Sequence, residues 1–271
     1  MRSHDGRMLI PALLALAAVF IVIERLCPAV ELPQVRGWWR RIVVINAFQA
    51  GIVIVAGLAW DRWFQSHSLL HLSRDFSAPV AALIAYFVST FVYYWWHRFR
   101  HESAWFWRLC HQLHHSASRI ELLTSFYKHP LEIFLNSLIG GALIYTLLGC
   151  DAVAGTIYTG LTAVAEYFYH WNIRTPRWLG NFIQRPESHR VHHQRARHSG
   201  NYADLPVWDM LFGTFDNPHT DPRECGFDEE REQMFREMLL FKDVHKLPLP
   251  PTCAGCGKRT ACALQKITSE P

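Results

Sequence analysis

Charged residues are missing from long stretches of this 271-residue chain, although Asp, Glu, Lys and Arg make up 18% of it. Four runs contain none of them: 8–23, 42–60, 76–96 and 133–150. A soluble core does not require apolar residues to be grouped in this way. The last three runs are about as long as a helix that crosses the hydrocarbon core of a bilayer. The sequence therefore predicts a polytopic membrane protein.

A disulfide framework is also missing. The seven cysteines are scattered and odd in number, and several flank regions predicted to be cytoplasmic, which is unlike a secreted, disulfide-stapled domain. The net charge of +4 is modest and gives no reason to expect nucleic-acid binding. Arginines at the ends of the apolar runs fit an anionic lipid surface better. Cys253 and Cys256, followed by Cys262, resemble half of a zinc knuckle, but no fourth ligand is evident.

A secretory signal peptide is the alternative interpretation of the first run. No small-residue cleavage site follows it, and Glu24 and Arg25 come directly after it, so we favour a membrane span. Residues 152–169 form a fifth apolar segment, which gives about four to five spanning segments. The prediction is an all-α, polytopic membrane helical bundle that carries a cytoplasmic, histidine-rich metal-binding cap.

The arginine distribution predicts the orientation. The connector 25–41 carries four arginines against Glu31 and the preceding Glu24, whereas 61–75 has two arginines and two aspartates. The positive-inside rule then places 25–41 in the cytoplasm and 61–75 on the other side. His97 and His170 both emerge at the cytoplasmic face, which supports one shared site there. We expect a multi-pass protein of a bacterial inner membrane or an ER-type membrane.

Eight histidines fall into three groups with helical spacing. The i, i+3 and i, i+4 separations place the imidazoles of each group on one face of a helix. The groups are His97 and His101; His111, His114 and His115; and His189, His192 and His193. They indicate a metal site with more ligands than one ion needs. A zinc-protease motif is excluded, because His101-Glu102 is followed by Trp105 where HExxH requires histidine.

The number of donors bears on the metal. Neutral imidazole suits zinc, copper, iron and nickel, but one tetrahedral zinc needs only four ligands, whereas eight donors suit two ions. Two redox-active ions beside a membrane can activate O2 and attack an unactivated C–H bond of a lipid, which zinc cannot do. A membrane metal-binding or transport protein is the alternative. Transporters place their ligands near the bilayer midplane, and these histidines lie at the ends of spans.

Three further positions have open interpretations. Glu166 precedes His170 by four residues, so it is a candidate metal ligand, a hydrogen-bond partner of a ligand, or a side chain that reaches the interface. His129 precedes Pro130 at the start of an apolar run. It is a candidate ligand, a hydrogen-bonding partner or a helix-start residue. The histidines without partner spacing are predicted to be exposed: His4, His67, His71, His198, His219 and His245.

The histidine groups are accompanied by motifs that resemble the membrane fatty acid hydroxylase / sterol desaturase superfamily. The similarity covers about residues 80–215 and includes Tyr94–Arg98, His129–Glu132, His170–Asn172, Arg174–Pro176, Asn201-Tyr202 and Trp208–Thr214. The chain departs from common patterns of that superfamily at Thr90, Trp171 and Ala203, where Asp, Ser and Gly are frequent in relatives. It also has Glu166 where some relatives have a further histidine.

The resemblance implies a non-haem diiron enzyme that uses O2 to modify a lipid. Its iron ligands would be His97, His101, His111, His114, His115, His170, His189, His192 and His193. The expected reaction is hydroxylation of a fatty-acyl, sterol-like or other membrane lipid. A desaturase or an ether-lipid monooxygenase is the alternative.

The expected partners are a membrane lipid, the bilayer and a separate electron-transfer protein, since no cytochrome b5-like His-Pro-Gly-Gly motif is present. The predicted organisation has three parts. Residues 1–75 form N-terminal spans and connectors, 76–215 form the catalytic domain, and 216–271 form a cytoplasmic extension. Within that extension, Asp228–Phe241 is predicted to be a polar amphipathic helix, and a loose tail follows from Leu247.

Overall fold

A computed structural model describes residues 5–221 and 224–249. Within these ranges the chain is helical, and an antiparallel bridge between Gln194 and Cys225 is its one β-type pairing. The all-α prediction is confirmed. The α-helices are α1 (Asp5–Leu26), α2 (Trp38–Ala59), α3 (Asp61–Ser66), α4 (Leu72–Asp75), α5 (Ala78–Glu102), α6 (Ala104–Phe106), α7 (Gln112–Ser116), α8 (Pro130–Gly141), α9 (Ala152–His170), α10 (Pro186–His192), α11 (Val207–Leu211), α12 (Glu229–Glu232) and α13 (Phe235–Leu239).

Tighter and wider helical turns extend or connect these helices. Two π-helical segments, Trp107–His111 and Ala142–Leu147, lead into α7 and continue α8. Two 3₁₀ segments, Leu122–Phe126 and Arg177–Asn181, lie in connectors. Such π-helical turns are uncommon and are often found at functional sites. The first of them carries His111.

Three helical stretches of the described chain are long and apolar enough to cross a membrane: Trp38–Ser66, Ala78–Glu102 and Pro130–Leu147. They correspond to the second, third and fourth predicted spans. The first and fifth predicted spans also form helices, α1 and α9. That these two cross the membrane stays a prediction.

Local sequence determines where the long apolar helices begin and turn. Pro79 occupies the first turn of α5, where the missing amide proton has no cost. The Asp151 side chain accepts a hydrogen bond from the Ala154 amide at 2.8 Å and caps α9. Gly149 turns the chain between α8 and α9 with a φ of 66°, and any side chain there would collide with the Leu70 carbonyl.

The bundle packs through small residues on α5. Ala81, Ala82 and Ala85 are buried against the Ala142–Leu147 turn and α9. Small side chains let helix backbones approach closely, which is how helices associate in a membrane. On the outer sides of α2 and α5 apolar side chains remain exposed, including Val43, Val53 and Leu58 of α2 and Leu83 of α5. This distribution fits helices whose outer face contacts lipid.

The predicted helix over 228–241 is wrong in one respect. The segment forms two short helices, α12 and α13, which are separated at Gln233 and Met234. Met234 and Met238 are buried in a core that also contains Leu113 and Tyr127. Packing of these two methionines against the histidine-bearing segment interrupts the helix that local sequence favours. The predicted tail with Cys253, Cys256 and Cys262 lies outside the described residues.

Candidate metal centre

Five helical segments bring the predicted histidines to one place. The helix α5 continues past the predicted apolar run as far as Glu102, so His97 and His101 lie on its last two turns. His111 lies in the π-helical turn, and His114 and His115 follow in α7. The third group lies at the end of α10, and His170 is the last residue of α9. The site therefore forms where helices end, close to one face of the bundle.

The structure divides the nine histidines into two groups. Within each group the candidate ligand atoms all lie within 4.8 Å of one another. One group contains five members and the other four, and each mixes residues from different sequence motifs: His97, His101, His111, His115 and His192 in the first, and His114, His170, His189 and His193 in the second. Each group has enough donors to hold a metal ion.

The Nε2 atoms face inward in both groups. The Nε2 of His111 lies 3.0 Å from that of His97, 3.0 Å from that of His101 and 3.2 Å from that of His115. In the second group the Nε2 of His189 lies 3.0 Å from that of His170 and 3.2 Å from that of His193. These distances bring at least three nitrogen donors to a common point in each group.

Backbone carbonyls hold the opposite side of several rings. The Nδ1–H of His97 donates to the Tyr202 carbonyl at 2.8 Å, and that of His192 donates to the Gly200 carbonyl at 2.6 Å. In the second group, His114 donates to the Tyr127 carbonyl and His170 to the Glu166 carbonyl, at 3.2 and 2.9 Å. A carbonyl can only accept, so each of these rings carries its proton on Nδ1 and leaves the Nε2 lone pair free.

Facing lone pairs repel, and a cation between them removes that repulsion. The Nε2 of His192 is buried and has no hydrogen-bond partner in the described part of the chain. A buried polar atom without a partner is costly unless something not contributed by the chain binds it. The donor set and this orphaned nitrogen both fit metal ions, one for each group.

Burial keeps the imidazoles neutral. Desolvation holds the pKa values of His111, His114, His115 and His189 well below the usual histidine value, and it lowers the pKa of His192 to about 3. Neighbouring imidazoles contribute in the same direction to the first four. Neutral imidazole is the form that binds a metal, so these rings need not lose a proton at neutral pH.

Sequence reasoning missed a buried ion pair beside the first group. Oε1 of Glu132 lies 3.1 Å from Nδ1 of His111 and also pairs with Arg100. The Glu132 side chain is fully buried and that of Arg100 nearly so. A carboxylate on the outer nitrogen of a ligand imidazole orients the ring and raises its basicity. The available signal was Glu132 itself, which is part of the motif His129–Glu132.

A second network holds the loop that supplies two of the carbonyls. The Asp209 carboxylate accepts hydrogen bonds from the Tyr202 and Ala203 amides at 2.8 and 2.9 Å and from the Thr214 hydroxyl at 2.7 Å. Asn201 has a φ of 52°, and its side-chain amide donates to the Ser188 carbonyl at 2.9 Å. These contacts explain why the two polar motifs around 201 and 209 accompany the histidines.

The structure places Glu166 beside the second group rather than in it. One oxygen of its carboxylate accepts a hydrogen bond from the Lys128 ammonium group at 2.6 Å. The other lies 3.7 Å from Nδ1 of His170, too far for a hydrogen bond. It is the backbone carbonyl of Glu166 that holds the His170 ring.

Two other histidines remain to be placed: His129, which was a candidate ligand, and His198, which was predicted to be exposed. His129 is not part of either group: its Nδ1 accepts the Leu131 amide at 3.0 Å at the start of α8, and its Nε2 contacts the Leu239 carbonyl at 3.3 Å. This geometry matches the helix-start alternative.

His198 was expected to be exposed, which is wrong, because it is half-buried and its Nδ1 lies 3.1 Å from that of His115. His67, His71, His219 and His245 are exposed as predicted, and His4 lies outside the described residues.

Residues 82–214 match the family model described as "Fatty acid hydroxylase". These residues include all nine grouped histidines and both polar networks. The matched segment therefore belongs to the fatty acid hydroxylase family, and the resemblance seen in the sequence motifs is confirmed.

Curated proteins similar to this chain act on several kinds of lipid, according to their names. An alkylglycerol monooxygenase of Caenorhabditis elegans is 28% identical over 191 residues, which cover 68% of this chain and 35% of that protein. The ornithine lipid hydroxylase OlsE of Rhizobium tropici is 32% identical over 146 residues, covering 52% and 42%. Sphinganine C4-monooxygenase 1 of Arabidopsis thaliana is 27% identical over 171 residues, covering 62% and 64%.

The chain thus spans between about a third and two thirds of the length of these three relatives. No solved structure matches it.

Proposed function

We propose that this protein is a membrane-bound, O2-dependent diiron oxygenase that hydroxylates an unactivated C–H bond of a membrane lipid. The observation that carries the proposal is the pair of histidine groups with Nε2 donors facing inward. Two members of the first group, His97 and His101, lie at the end of α5, which is long and apolar enough to span a bilayer. Lipid-modifying monooxygenases and hydroxylases among the similar proteins support the same reaction class.

The two groups would hold one iron ion each. When bound, the irons supply the redox chemistry that imidazole alone lacks, which is the activation of O2 for attack on a C–H bond. The chain's own residues orient the donors: the Tyr202 and Gly200 carbonyls fix the tautomers of His97 and His192. Glu132 would make His111 a stronger donor.

We further propose a multi-pass orientation in which the histidine groups face the cytoplasm. The helices α1 and α9 would then cross the membrane together with the three long apolar stretches. Hydroxylation places one oxygen atom of O2 in the lipid and releases the other as water, so it needs electrons and protons from outside. We propose a separate electron-transfer protein as their source.

Fold and site do not select one lipid, because related proteins carry names that refer to alkylglycerols, ornithine lipids and sphinganine. Desaturation or ether-lipid oxidation on the same site is the second candidate. An alkylglycerol monooxygenase among the similar proteins favours the ether lipid as the first such substrate to test.

Lipid profiling under 18O2 tests the proposal. Cells that express the wild-type chain are compared with cells that express His111→Ala. Glu102→Gln serves as the matched control because Glu102 is exposed and, among the described residues, forms an ion pair only with Arg98. Hydroxylation adds one 18O atom to a lipid in the wild type and the control. A lipid that loses hydrogen without gaining 18O indicates desaturation instead. Identical lipid profiles in all three strains would contradict the proposal.

A further inference from the structure

A basic groove opens where the α2 stretch begins. It has a volume of about 750 Å³ and is lined by Arg36, Gly37, Arg40, Arg41, Val44, Gln233, Phe235 and Arg236. Four of these eight residues are arginines, and no carboxylate lines the groove. The groove lies at one end of Trp38–Ser66, which places it at the surface of the membrane rather than inside it. It shares none of its residues with the two histidine groups.

The arginines of this groove lack charge partners. In the ranges 5–221 and 224–249, none of the four forms an ion pair with a carboxylate within 4.0 Å. Arg36, Arg40 and Arg236 are exposed, whereas Arg41 is only 7% exposed. Four adjacent cations repel one another unless an anion lies among them.

Arg41 is fixed in place from behind. Its guanidinium donates to the Glu232 carbonyl at 2.7 Å and to the Arg36 carbonyl at 3.2 Å. Its Nε is buried and has no hydrogen-bond partner among the described residues. Because two backbone carbonyls hold the guanidinium in place, Arg41 contributes a fixed positive charge to the wall of the groove.

The start of α2 adds to the same positive field. Its N-cap residue is Gly37, which has a φ of 71° and no side chain to cap the first turn, and that turn contains no acidic residue. The Trp38 amide donates to the Val35 carbonyl at 3.2 Å, so the Trp39 and Arg40 amides and the positive end of the helix dipole are left for an anion in the described part of the chain. Val44 and Phe235 supply an apolar wall, and Val44 lies one turn farther along α2 than Arg40 and Arg41.

We infer that this groove binds the phosphate headgroup of an anionic phospholipid. The arginines and the helix start hold the phosphate, and Val44 lies where the glycerol and acyl part continues toward the bilayer. Basic pockets beside spanning helices recognise anionic headgroups in this way. An acidic protein would not require an apolar wall that runs from the arginines along a spanning helix. The inference does not depend on the proposed oxygenase reaction.

Calorimetric titration of the purified full-length protein in an uncharged detergent tests the inference. The probe is dihexanoyl phosphatidic acid, and dihexanoyl phosphatidylcholine and inorganic phosphate are titrated separately. We expect saturable binding of about one phosphatidic acid per chain, with weaker binding of both comparison compounds. Equal affinity for inorganic phosphate would overturn the lipid assignment, because the acyl part would then contribute nothing. The absence of saturable binding would overturn the site altogether.

Two matched double variants distinguish binding of phosphatidic acid in this groove from non-specific electrostatic attraction to the protein. Arg40→Gln combined with Arg236→Gln is expected to weaken binding roughly thirtyfold, since a basic residue near a lipid surface contributes about fivefold. Arg62→Gln combined with Arg74→Gln removes the same charge from exposed positions outside the groove and should leave the affinity unchanged. Equal loss in both double variants would overturn the inference. Unchanged binding in the groove variant would do so as well, and would favour an acidic protein as the occupant.

Discussion

The Nε2 atoms of His97 and His111 lie 3.0 Å apart, although the outer nitrogen of each ring already faces an oxygen acceptor. The Tyr202 carbonyl takes the Nδ1 proton of His97, and the Glu132 carboxylate lies 3.1 Å from Nδ1 of His111. Both inward nitrogens therefore present lone pairs to each other. An ion between them converts this repulsion into coordination, so metal binding and stability should be coupled.

The first prediction concerns metal content. Purified protein should carry about two metal ions per chain, with iron in the active form, because the nine histidines form two separate groups. His189→Ala leaves three histidines in the four-member group, and His97→Ala combined with His192→Ala leaves three in the five-member group, so each of these two variants should lower the content to about one ion. Elemental analysis by mass spectrometry measures this. His219→Ala, at an exposed position, is the control.

Chelation should also lower the melting temperature, and added iron should restore it. One ion or none in folded wild-type protein would contradict the prediction. Zinc recovered after overexpression counts as misloading only if replacement by iron restores activity.

The second prediction concerns Glu132. Glu132→Gln keeps the shape of the side chain but removes the charge that pairs with Arg100 and orients His111. Loss of such a partner typically costs ten- to a hundredfold in metal affinity or activity. We expect a loss of that size in metal affinity, measured by competition with a chelator of known affinity. Glu102→Gln, which removes an exposed carboxylate, should behave like the wild type. An unaffected Glu132→Gln variant would show that the charge of Glu132 contributes nothing to metal affinity.

The third prediction concerns His198, whose contact with His115 was not expected from the sequence. The two Nδ1 atoms lie 3.1 Å apart, and His198 packs near Trp107 and Phe227. His198→Ala should weaken metal binding roughly tenfold or more, because His115 loses the group that fixes its orientation.

A conservative substitution that restores metal affinity would distinguish this role of His198 from a merely structural one. His198→Asn keeps a hydrogen-bonding side chain and suits the φ of 41° at this position, so it should recover most of the affinity. His245→Ala, which removes an exposed ring that packs against Phe227, should have no effect. Equal losses in the Ala and Asn variants would argue against the hydrogen bond.

The fourth prediction concerns membrane orientation. His67 and His219 are both exposed and lie before and after the α5–α9 region, respectively. In a background without the native cysteines, Cys at position 67 should react with a membrane-impermeant reagent from outside the cell. Cys at 219 should react only after the membrane is opened. Equal labelling of both in intact cells would mean that the number of spans is wrong.

Helix positions and histidine groups could be predicted because both follow from local spacing. Apolar run lengths indicated α2, α5 and the stretch that begins with α8, and the i, i+4 spacing placed His97 and His101 on one face. The partition into two groups could not be predicted in the same way. His192 and His193 are adjacent in sequence but belong to different groups, which depends on how α10 packs between other elements.

The hydrogen-bond partners that orient the imidazole rings could not be predicted from local sequence either. The carbonyls of Tyr202 and Tyr127 are backbone groups, so no residue type indicates them, and the Glu132–His111 contact joins two separate helical segments. His198 illustrates the same limit: it lacks helical spacing to any partner and is brought to His115 by a turn with left-handed backbone geometry. Such contacts arise from tertiary packing and leave little periodic signal.

The last prediction concerns Glu166, for which sequence reasoning left three roles open. Its backbone carbonyl, rather than its carboxylate, accepts the His170 proton, and its carboxylate pairs with Lys128 at 2.6 Å. Glu166→Gln should therefore leave the metal content unchanged, because the group that orients His170 is retained. It should lower the free energy of unfolding by about 1 to 3 kcal/mol, since the Lys128 side chain, only 11% exposed, loses its charged partner.

A double variant identifies the source of that loss. Glu166→Gln combined with Lys128→Met removes the unpaired ammonium group as well, so it should recover part of the stability that Glu166→Gln alone loses. Denaturant unfolding and elemental analysis are measured on the same samples. If Glu166→Gln instead empties one metal position, its carboxylate binds the ion directly in the loaded protein. Unchanged stability would show that the contact with Lys128 contributes nothing measurable, as for an ordinary surface ion pair.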